Sequence, residues 1–513
     1  MATNTIDLIE RERKYDIGGD GPPDLAALGR VGGGARLVGR GTVTLDATYY
    51  DTLDQRLAAA SATLRRRTGG ADAGWHLKLP AGPDAREEIR APLADALPPR
   101  LAALVRSRTR GAELVPVVRV VTERELHHLV DDDGAPLAEI ALDRVTGHRL
   151  APAESPAVRW TEVEVELADG ARPKLLDQVE ARLAALGLRR APGPGKAARV
   201  LERTAAAAQE DSGQEDSGRG AAARADGPAT AADLVLDYVR AQAAAIVAYD
   251  PVVRLDKPDA VHQMRVATRR LRSTLRAYRP VLDRRVTDPL GEELKWLAGE
   301  LGAARDSEVT AARLDGRLTG LPGPLRFGAA RAALAGWAHA RAGTGRRRAV
   351  EALDSERYRA LLDALDALFA DPPLRPKAAR PARAAALKAV RRQYDAFARR
   401  VETALGTPPG PEQDTALHRA RKAAKRTRYT AESARPALGK PARKLARRVK
   451  SVQKLLGEHQ DSVMAREALR DLAAHARDAE AAFALGVLYG REEAEAGRLR
   501  AALPERWRRA AAH

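Results

Sequence analysis

Cysteine is absent from the 513 residues of this chain. Its absence excludes disulfide bonds, thiolate metal sites and cysteine nucleophiles together. Aromatic residues make up only 4% of the sequence, so few rings are available to stack on nucleic-acid bases or to form a nucleotide-base pocket. Charged side chains, at 30% of the residues, are therefore the main candidates for function.

Long apolar runs are missing as well. No stretch of 18 apolar residues occurs, which argues against a membrane-spanning helix. The first residues, MATNTIDLIERERKY, lack the apolar stretch of a signal peptide. We therefore expect a cytoplasmic protein without a membrane partner, and the length allows two or three domains that each bury a core.

The charge is distributed unevenly along the chain. Residues 1–204 contain 30 Lys plus Arg and 30 Asp plus Glu, so the totals of 87 and 69 leave 57 against 39 for the rest. All of the formal net charge of +18 therefore lies after residue 204. This asymmetry predicts an anion-binding C-terminal half and argues against nucleic acid bound over the whole surface.

Residues 205–232 separate the two halves. They read AAAAQEDSGQEDSGRGAAARADGPATAA, with a duplicated QEDSG and no aromatic residue. Such a composition buries too little apolar surface to fold alone, so we predict a flexible linker between domains at 1–204 and 233–513. Proline clusters at 321–327 and 371–381 end helices, and 234–507 otherwise predicts one helix after another.

The N-terminal half has short alternating segments rich in Val, Thr and Tyr. Turn pairs such as Gly69-Gly70 and Asp133-Gly134 separate them, and only 174–186 has a strong helical period. This pattern predicts a mostly antiparallel β domain with few helices.

Two strand segments carry carboxylates on one face. In IERERKY, strand alternation places Glu10, Glu12 and Lys14 on the same side. In WTEVEVEL, it likewise places three glutamates on one side: Glu162, Glu164 and Glu166. Aligned carboxylates repel one another unless cations lie among them. Cations at strand spacing follow between the two segments: Arg65, Arg67, Lys78, Arg86 and Arg119.

A closed β-barrel with a charged interior would accommodate this pattern, with room for a divalent metal and a polyanion. Magnesium or manganese fits, because both prefer oxygen ligands. An open sheet with its charges in solvent is the alternative, and the residues alone leave both possibilities open. Glu139 and Asp143 share a strand face and would lie either in the tunnel or in solvent.

The ordered segments resemble the CYTH family of triphosphate tunnel metalloenzymes over about residues 5–204. They are Glu10-x-Glu12-x-Lys14, YYDTLDQRLAAASATLRRR, LKLP, REEIR, LDRVTG and EVEVEL. The resemblance implies an antiparallel β tunnel that hydrolyses triphosphate compounds with a divalent metal. Family members often carry threonine where this chain has His76, a difference that could tune substrate choice.

The resemblance also assigns roles to residues. The implied metal ligands are Glu10, Glu12 and one or more of Glu162, Glu164 and Glu166. The implied phosphate-binding cations are Lys14, Arg65, Arg67, Lys78, Arg86, Arg119 and Lys196, the last in GKAAR.

The stretch 261–278, VHQMRVATRRLRSTLRAY, predicts a helix with a cationic face. At about 100° per residue, five cations fall within an arc of roughly 80° and apolar residues mark another face. Those cations are His262, Arg265, Arg269, Arg272 and Arg276. Such a stripe repels itself and favours an anion along it, although an ordinary solvated basic face is the alternative.

A second copy of this pattern follows about 155 residues later. Counted from His418, the cations Arg421, Lys425, Arg426 and Arg428 have the offsets that Arg265, Arg269, Arg270 and Arg272 have from His262. Lys295 lies 33 residues after His262 and Lys450 lies 32 after His418, followed by LGAARDS at 301–307 and LGEHQDS at 456–462. We therefore predict two repeats, at about 234–370 and 382–507.

This duplication resembles the CHAD domain, from about residue 228 to the C-terminus. The resemblance implies two helical bundles that face each other across a basic channel holding inorganic polyphosphate. Its implied ligands are His262, Arg265, Arg269, Arg270, Arg272, Lys295, His418, Arg421, Lys425, Arg426, Arg428 and Lys450.

Together, the residue patterns and the two resemblances predict an α+β protein of two domains, an N-terminal antiparallel β-barrel or tunnel with a few helices and a C-terminal all-α domain of two related bundles. The expected activity is metal-dependent hydrolysis of inorganic triphosphate, with Mg²⁺ or Mn²⁺, beside a polyphosphate-binding domain that could attach the protein to polyphosphate granules. One alternative is a polyphosphate-binding protein whose tunnel is inactive. An adenylate cyclase would need a base pocket and a nucleic-acid binder would need stacking aromatics, and the sequence is poor in both.

Overall fold

The computed structural model describes residues 6–17, 23–31, 35–82, 84–191, 195–212, 229–323 and 328–511. The chain divides into two compact units, Met1–Gly220 and Ala221–His513. The linker and the domain limits proposed from sequence stay predictions, and 213–228 lie outside the described residues. Residues 205–212, which we assigned to the linker, belong to a helix instead.

The described part of the first unit contains one antiparallel sheet of nine strands. Their order in the sheet is β5-β4-β3-β2-β6-β7-β8-β1-β9, and β1 also pairs with β5. The strands are β1 (Ile6–Asp16), β2 (Arg36–Asp51), β3 (Thr63–Thr68), β4 (Gly74–Gly82), β5 (Ala85–Pro92), β6 (Val115–Val130), β7 (Pro136–Arg149), β8 (Val158–Leu167) and β9 (Arg189–Arg190).

The ring closes through the first strand. Residues 6–11 of β1 pair with β5 and residues 12–16 pair with β8. Because side chains alternate along each strand, one set points into the ring and the other faces outward. The predicted β tunnel is therefore confirmed as a ring of strands.

A few helices accompany the ring. They are α1 (Arg56–Ala59), α2 (Pro99–Thr109), α3 (Lys174–Ala185), α4 (Lys196–Ser212) and a 3-10 helix at Leu25–Arg30. The helix predicted at 174–186 matches α3, whereas α2 and α4 were not predicted. Both helices bury apolar side chains, Leu101 and Leu104 in α2 and Val200 in α4, and such burial supplies most of the stability of short helices.

Helix α4 determines how one side of the ring is filled. Val200 is fully buried in a cluster with Ala47, Tyr49 and Val118. Gly147 on β7 permits this close approach, because an added Cβ would lie 2.2 Å from Val200 Cγ2. The packing places Lys196, at the start of α4, against the interior carboxylates.

The second unit is all helical in its described part, as predicted. Its helices are α5 (Ala231–Arg254), α6 (Ala260–Ala277), α7 (Arg284–Thr319), α8 (Gly328–Asp354), α9 (Glu356–Ala370), α10 (Ala382–Gly406), α11 (Pro411–Ser433), α12 (Arg435–Leu438), α13 (Lys440–Ala474) and α14 (Ala479–Ala511), with a 3-10 helix at Pro376–Ala379.

The two halves of the helical unit repeat one packing scheme. Helix α6 packs on α7 and α11 packs on α13, while α6 also contacts α11. The apolar face predicted for α6 is buried, with Met264 and Leu271 in the core of the first half. Across the halves, the fully buried Glu492 on α14 accepts hydrogen bonds from Arg313 at 2.6 Å and Arg317 at 2.9 Å on α7. Glu492 thereby joins the two halves through charge-assisted hydrogen bonds.

A search for apolar helices found none, in the described part of the chain, that could cross a membrane.

Candidate functional site

The ring of strands encloses a cavity of about 540 Å³. Strand alternation directs charged side chains into it from β1, β3, β4, β5, β6 and β8, and α4 adds Lys196. The interior is therefore lined by carboxylates and cations together, as the resemblance to the CYTH family implied.

Three carboxylates form the first acidic cluster. Glu10, Glu12 and Glu166 each offer an oxygen within 4.8 Å of the others, and the β1–β8 register pairs Glu12 directly with Glu166. Burial, together with the charges of Glu10 and Glu12, raises the pKa of Glu166 to about 8. Lys78 and Arg90 pair with Glu10, and Lys14 and Lys78 lie 3.7 and 3.8 Å from Glu12. Glu166 forms no ion pair among the described residues, so its carboxylate is left unbalanced. A set of carboxylate oxygens with this imbalance fits Mg²⁺ or Mn²⁺.

A second acidic cluster, Asp143, Glu162 and Glu164, already has cations. Lys196 Nζ lies 2.8, 2.8 and 2.5 Å from their respective oxygens. Burial opposes ionisation of Glu164, yet Lys14, Lys196 and Arg124 hold its pKa well below the ordinary value. The ammonium group of Lys196 contacts all three of these carboxylates, whereas Glu166 of the first cluster has no ion pair among the described residues, so the first cluster fits a metal better.

Arginines on β3 and β5 supply donors for an anion. Arg65 Nη1 donates to Tyr49 Oη at 3.4 Å, and Arg67 and Arg90 both contact Asp72, which belongs to the β3–β4 turn. The Nε atoms of Arg65 and Arg67 are buried and have no hydrogen-bond partner among the described residues. Guanidinium donors of this kind match phosphate oxygens in a bidentate manner.

His76 is fully buried beside these cations. Its Nδ1 lies 3.0 Å from Glu88 Oε1 and its Nε2 lies 2.9 Å from the carbonyl oxygen of Asp72. Burial lowers the pKa of His76, although Glu88 opposes this shift. His76 therefore ties the turn that carries Asp72 to the tunnel interior.

The helical unit has a cavity of about 530 Å³ between α6 and α11. Basic side chains from both helices dominate its lining, and the two carboxylates there are Asp306 and Asp461. The basic residues are His262, Arg265, Arg269, Arg272, Arg276, His418, Arg421, Lys422, Lys425 and Arg426.

The LGxxxDS segments explain how two of these arginines are placed. Arg265 donates to the two carboxylate oxygens of Asp306 at 2.8 and 3.2 Å, and an added Cβ at Gly302 would lie 3.0 Å from its Nη2. In the second repeat, Arg421 lies 3.8 Å from Asp461 and 3.7 Å from a Cβ added at Gly457. In each repeat, the glycine leaves room on the helix surface for the arginine guanidinium, and the aspartate lies opposite that guanidinium.

This cavity holds more positive charge than its own carboxylates balance. Burial, with the charges of Arg421, Arg269 and Arg265, lowers the pKa of Lys425 to about 6. The Nε atoms of Arg265, Arg269 and Arg421 are buried without a hydrogen-bond partner among the described residues. These donors suit a ligand that carries several negative charges.

Models of two known protein families match this chain, one in each of its two units. The CYTH domain model matches residues 8–199 and the CHAD domain model matches residues 237–470. A protein of Mycobacterium tuberculosis (strain H37Rv), described as uncharacterized, is 39% identical over 510 residues, which cover 96% of this chain and 94% of that protein. This chain belongs to the family that joins a CYTH domain to a CHAD domain.

Two solved structures are each similar to part of this chain. The CHAD domain from the plant Ricinus communis is 27% identical with a TM-score of 0.43, covering 56% of this chain and 97% of that chain. PptA from Streptomyces chartreusis is 24% identical with a TM-score of 0.46, covering 55% of this chain and 100% of that chain.

CYTH tunnel enzymes use divalent metals, and most residues predicted for the tunnel of this CYTH domain lie in it. Glu162 lies just behind the lining, where Arg199 contacts it at 3.2 Å. The residues that line the cavity are Glu10, Glu12, Lys14, Arg65, Arg67, Lys78, Arg86, Glu164, Glu166 and Lys196. Of the two acids left open, Glu139 lines the cavity and Asp143 is buried beside Lys196.

Arg119 does not lie in the tunnel, in contrast to our expectation. It is half exposed on β6 and pairs with Asp46 at 2.6 Å. Thr122 and Arg124 of the same strand line the cavity, so a residue of odd number faces outward. Arg124, and not Arg119, lies inside the tunnel, where it donates hydrogen bonds to the two carboxylate oxygens of Asp143 at 2.8 and 2.7 Å.

Sequence reasoning missed several tunnel residues. Glu88 and Arg90 follow Arg86 at strand spacing in REEIR, so the alternation contained a signal for both. Arg124 and Asp72 had no such signal, because their positions depend on strand register and on the fold of a turn.

In the CHAD domain, eight of the twelve predicted ligands line the cavity. Arg270 and Arg428 instead pair with Glu432 at 3.1 and 2.7 Å and lie over the ring of Tyr429. Lys295 and Lys450 are exposed away from the lining. Arg276 and Lys422 join the lining, and Arg276 lies within the cationic arc that the helical period indicated.

Proposed function

We propose that the CYTH domain is a metal-dependent triphosphatase and that the CHAD domain binds inorganic polyphosphate. The observation that carries the first part is the juxtaposition of an undercompensated carboxylate cluster, Glu10, Glu12 and Glu166, with Lys78 and Arg90, which contact Glu10. A triphosphate and its metal need this combination, because the cations bind phosphate oxygens while carboxylates hold the metal.

Glu10, Glu12 and Glu166 would hold Mg²⁺ or Mn²⁺. The bound metal would withdraw charge from the phosphoryl group that is attacked and help to position it. Arg65, Arg67 and the lysines of the tunnel would bind the remaining oxygens, and this neutralisation allows water to approach an otherwise repulsive anion. Hydrolysis of inorganic triphosphate would yield pyrophosphate and phosphate.

The lining favours an inorganic substrate over a nucleotide. Among the described lining residues, Tyr49 is the one Phe, Trp or Tyr side chain, and Arg65 contacts its hydroxyl. A nucleobase would therefore find little surface for stacking. This supports a triphosphatase over an adenylate cyclase.

Polyphosphate binding rests on the ten basic side chains that converge between α6 and α11. Two repeats contribute to one cavity, so a polymer can contact both at once and gains from their effective concentration. Such binding could bring the protein to polyphosphate granules in the cytoplasm and keep long chains near the same polypeptide as the tunnel.

The test of the tunnel uses the full chain with triphosphate, long-chain polyphosphate or ATP, each with Mg²⁺. We expect phosphate release fastest from triphosphate and none after Glu10→Gln combined with Glu12→Gln. A folded wild-type protein that hydrolyses none of the three would support the non-catalytic alternative, and cyclic AMP from ATP would support the cyclase.

Polyphosphate binding is tested separately and without metal. The triple change Arg265, Arg269 and Arg272 to Gln should weaken binding by on the order of 10²-fold if multivalency operates. The control triple change, Arg346, Arg347 and Arg348 to Gln, removes the same charge from α8, outside the cavity. Equal losses in both variants, or equal binding to duplex DNA at one salt concentration, would indicate general basic attraction.

A further inference from the structure

Two carboxylates face the cationic cavity of the CHAD domain. Asp306 on α7 and Asp461 on α13 line it together with ten basic side chains. They occupy the same place in LGAARDS and LGEHQDS, and each faces the equivalent arginine of its repeat. A carboxylate beside an anion site repels the ligand, so neither acid can strengthen binding through its own charge.

The geometry shows how Asp306 interacts within the cavity. Asp306 accepts hydrogen bonds from Nη1 and Nη2 of Arg265 at 2.8 and 3.2 Å. Those are the paired donors that a phosphate group would use. The Arg265 side chain is only 18% exposed whereas that of Asp306 is 48% exposed, so the carboxylate can move into solvent more readily than the guanidinium can.

We propose that Asp306 is an internal competitor of the polyanion, which occupies the paired donors of Arg265 until polyphosphate displaces it, and that Asp461, 3.8 Å from Arg421, opposes the polyanion through its charge alone. This inference rests on the proposed polyphosphate binding. Breaking each ion pair subtracts from the free energy of binding, so affinity stays below what the cations alone would provide. The two acids thereby keep the complex dissociable.

The test compares neutral variants of the full chain. Asp306→Asn and Asp461→Asn remove one cavity charge each. Asp288→Asn on α7 and Asp471→Asn on α13 are matched controls, because these acids pair with Arg279 at 3.0 Å and Arg341 at 3.2 Å outside the cavity. The probe is polyphosphate of one defined chain length, measured without metal at several salt concentrations.

Each cavity variant should bind about fivefold more tightly than wild type, and each control should change affinity by less than about twofold. The dependence on salt should also steepen in the cavity variants, because in wild type the displaced carboxylate takes up a cation while the phosphate releases one. A merely structural aspartate would not change that slope in this direction.

Unchanged affinity in both cavity variants would overturn the proposal. Weaker binding would do so as well, because it would show that the acids hold the arginines in a productive position. Asp306→Ser and Asp461→Ser provide a second neutral pair if an asparagine variant fails to unfold cooperatively like the wild type. If the folded wild type does not bind polyphosphate, the failure belongs to the proposed function instead.

Discussion

The guanidinium of Arg265 lies against Gly302, where an added Cβ would come within 3.0 Å of Nη2. This contact is tighter than an ordinary van der Waals contact, and it explains why a helix interior carries glycine despite its low helix propensity. A side chain at residue 302 would force Arg265 out of its place in the cavity.

Gly302→Ala should therefore weaken polyphosphate binding by roughly threefold or more while the free energy of unfolding stays equal or rises by up to about 1 kcal/mol. Gly299→Ala on the same helix is the control, because a Cβ there meets no atom within 4 Å. Titration with polyphosphate and thermal unfolding of both variants check this. If both variants bind as wild type does, the position of Arg265 does not depend on Gly302.

Arg65 lies on the inner face of the sheet, whereas Arg119 lies on its outer face. Arg65→Lys should slow triphosphate hydrolysis by roughly tenfold or more, because lysine cannot reproduce paired guanidinium donors. Arg119→Lys should leave the rate within about twofold of wild type, because Arg119 pairs with Asp46 outside the tunnel. Steady-state rates at saturating metal test both. A larger loss at Arg119 than at Arg65 would contradict the assigned faces.

Loss of a carboxylate charge should lower the affinity for metal when it occurs in the first acidic cluster of the tunnel. Glu166→Gln should weaken Mn²⁺ or Mg²⁺ binding by on the order of tenfold to a hundredfold, because a charged oxygen ligand is lost. Glu123→Gln, at an exposed position on β6, is the control. Calorimetric metal titration without substrate measures this directly. Metal affinity that survives Glu166→Gln but not Glu162→Gln would move the site to the second cluster.

Lys425 should couple polyphosphate binding to pH. Its pKa is lowered to about 6 by burial and by neighbouring arginines, so the side chain is largely neutral at pH 8 in the free protein. A polyanion favours the charged form and raises this pKa, so binding takes up a proton. Affinity should increase as pH falls towards 6, by at most about tenfold per pH unit, and level off below it.

The comparison for this prediction is Lys425→Met, which cannot titrate. Its affinity should be lower than that of wild type at pH 6, and its dependence on pH between 6 and 8 should be shallower. Binding titrations in buffers of equal ionic strength measure both slopes. Identical slopes would show that another group takes up the proton or that none does.

The repeated pattern of residues predicted a mostly antiparallel β half and an all-helical half, whereas closure of the β half into a tunnel was predicted from the resemblance to the CYTH family. Alternating segments such as WTEVEVEL require a face of carboxylates opposite a face of valines, and that face is stable only where cations meet it. The helical period and the two LGxxxDS segments likewise predicted a duplicated helical unit with basic faces. These inferences hold because periodicity determines which side chains of one element point the same way.

Sequence periodicity could not predict which side chains of different strands and helices contact one another. The register between β1 and β8 places Glu166 beside Glu12, and the packing of α4 brings Lys196 to Glu162 and Glu164. Strand alternation places Arg119 and Arg124 on opposite faces of β6, and closure of the ring decides that Arg124 lies inside. Sequence periodicity therefore determined the charged faces of single elements, whereas strand register, ring closure and helix packing decided which charges meet, because those contacts join residues far apart in the chain.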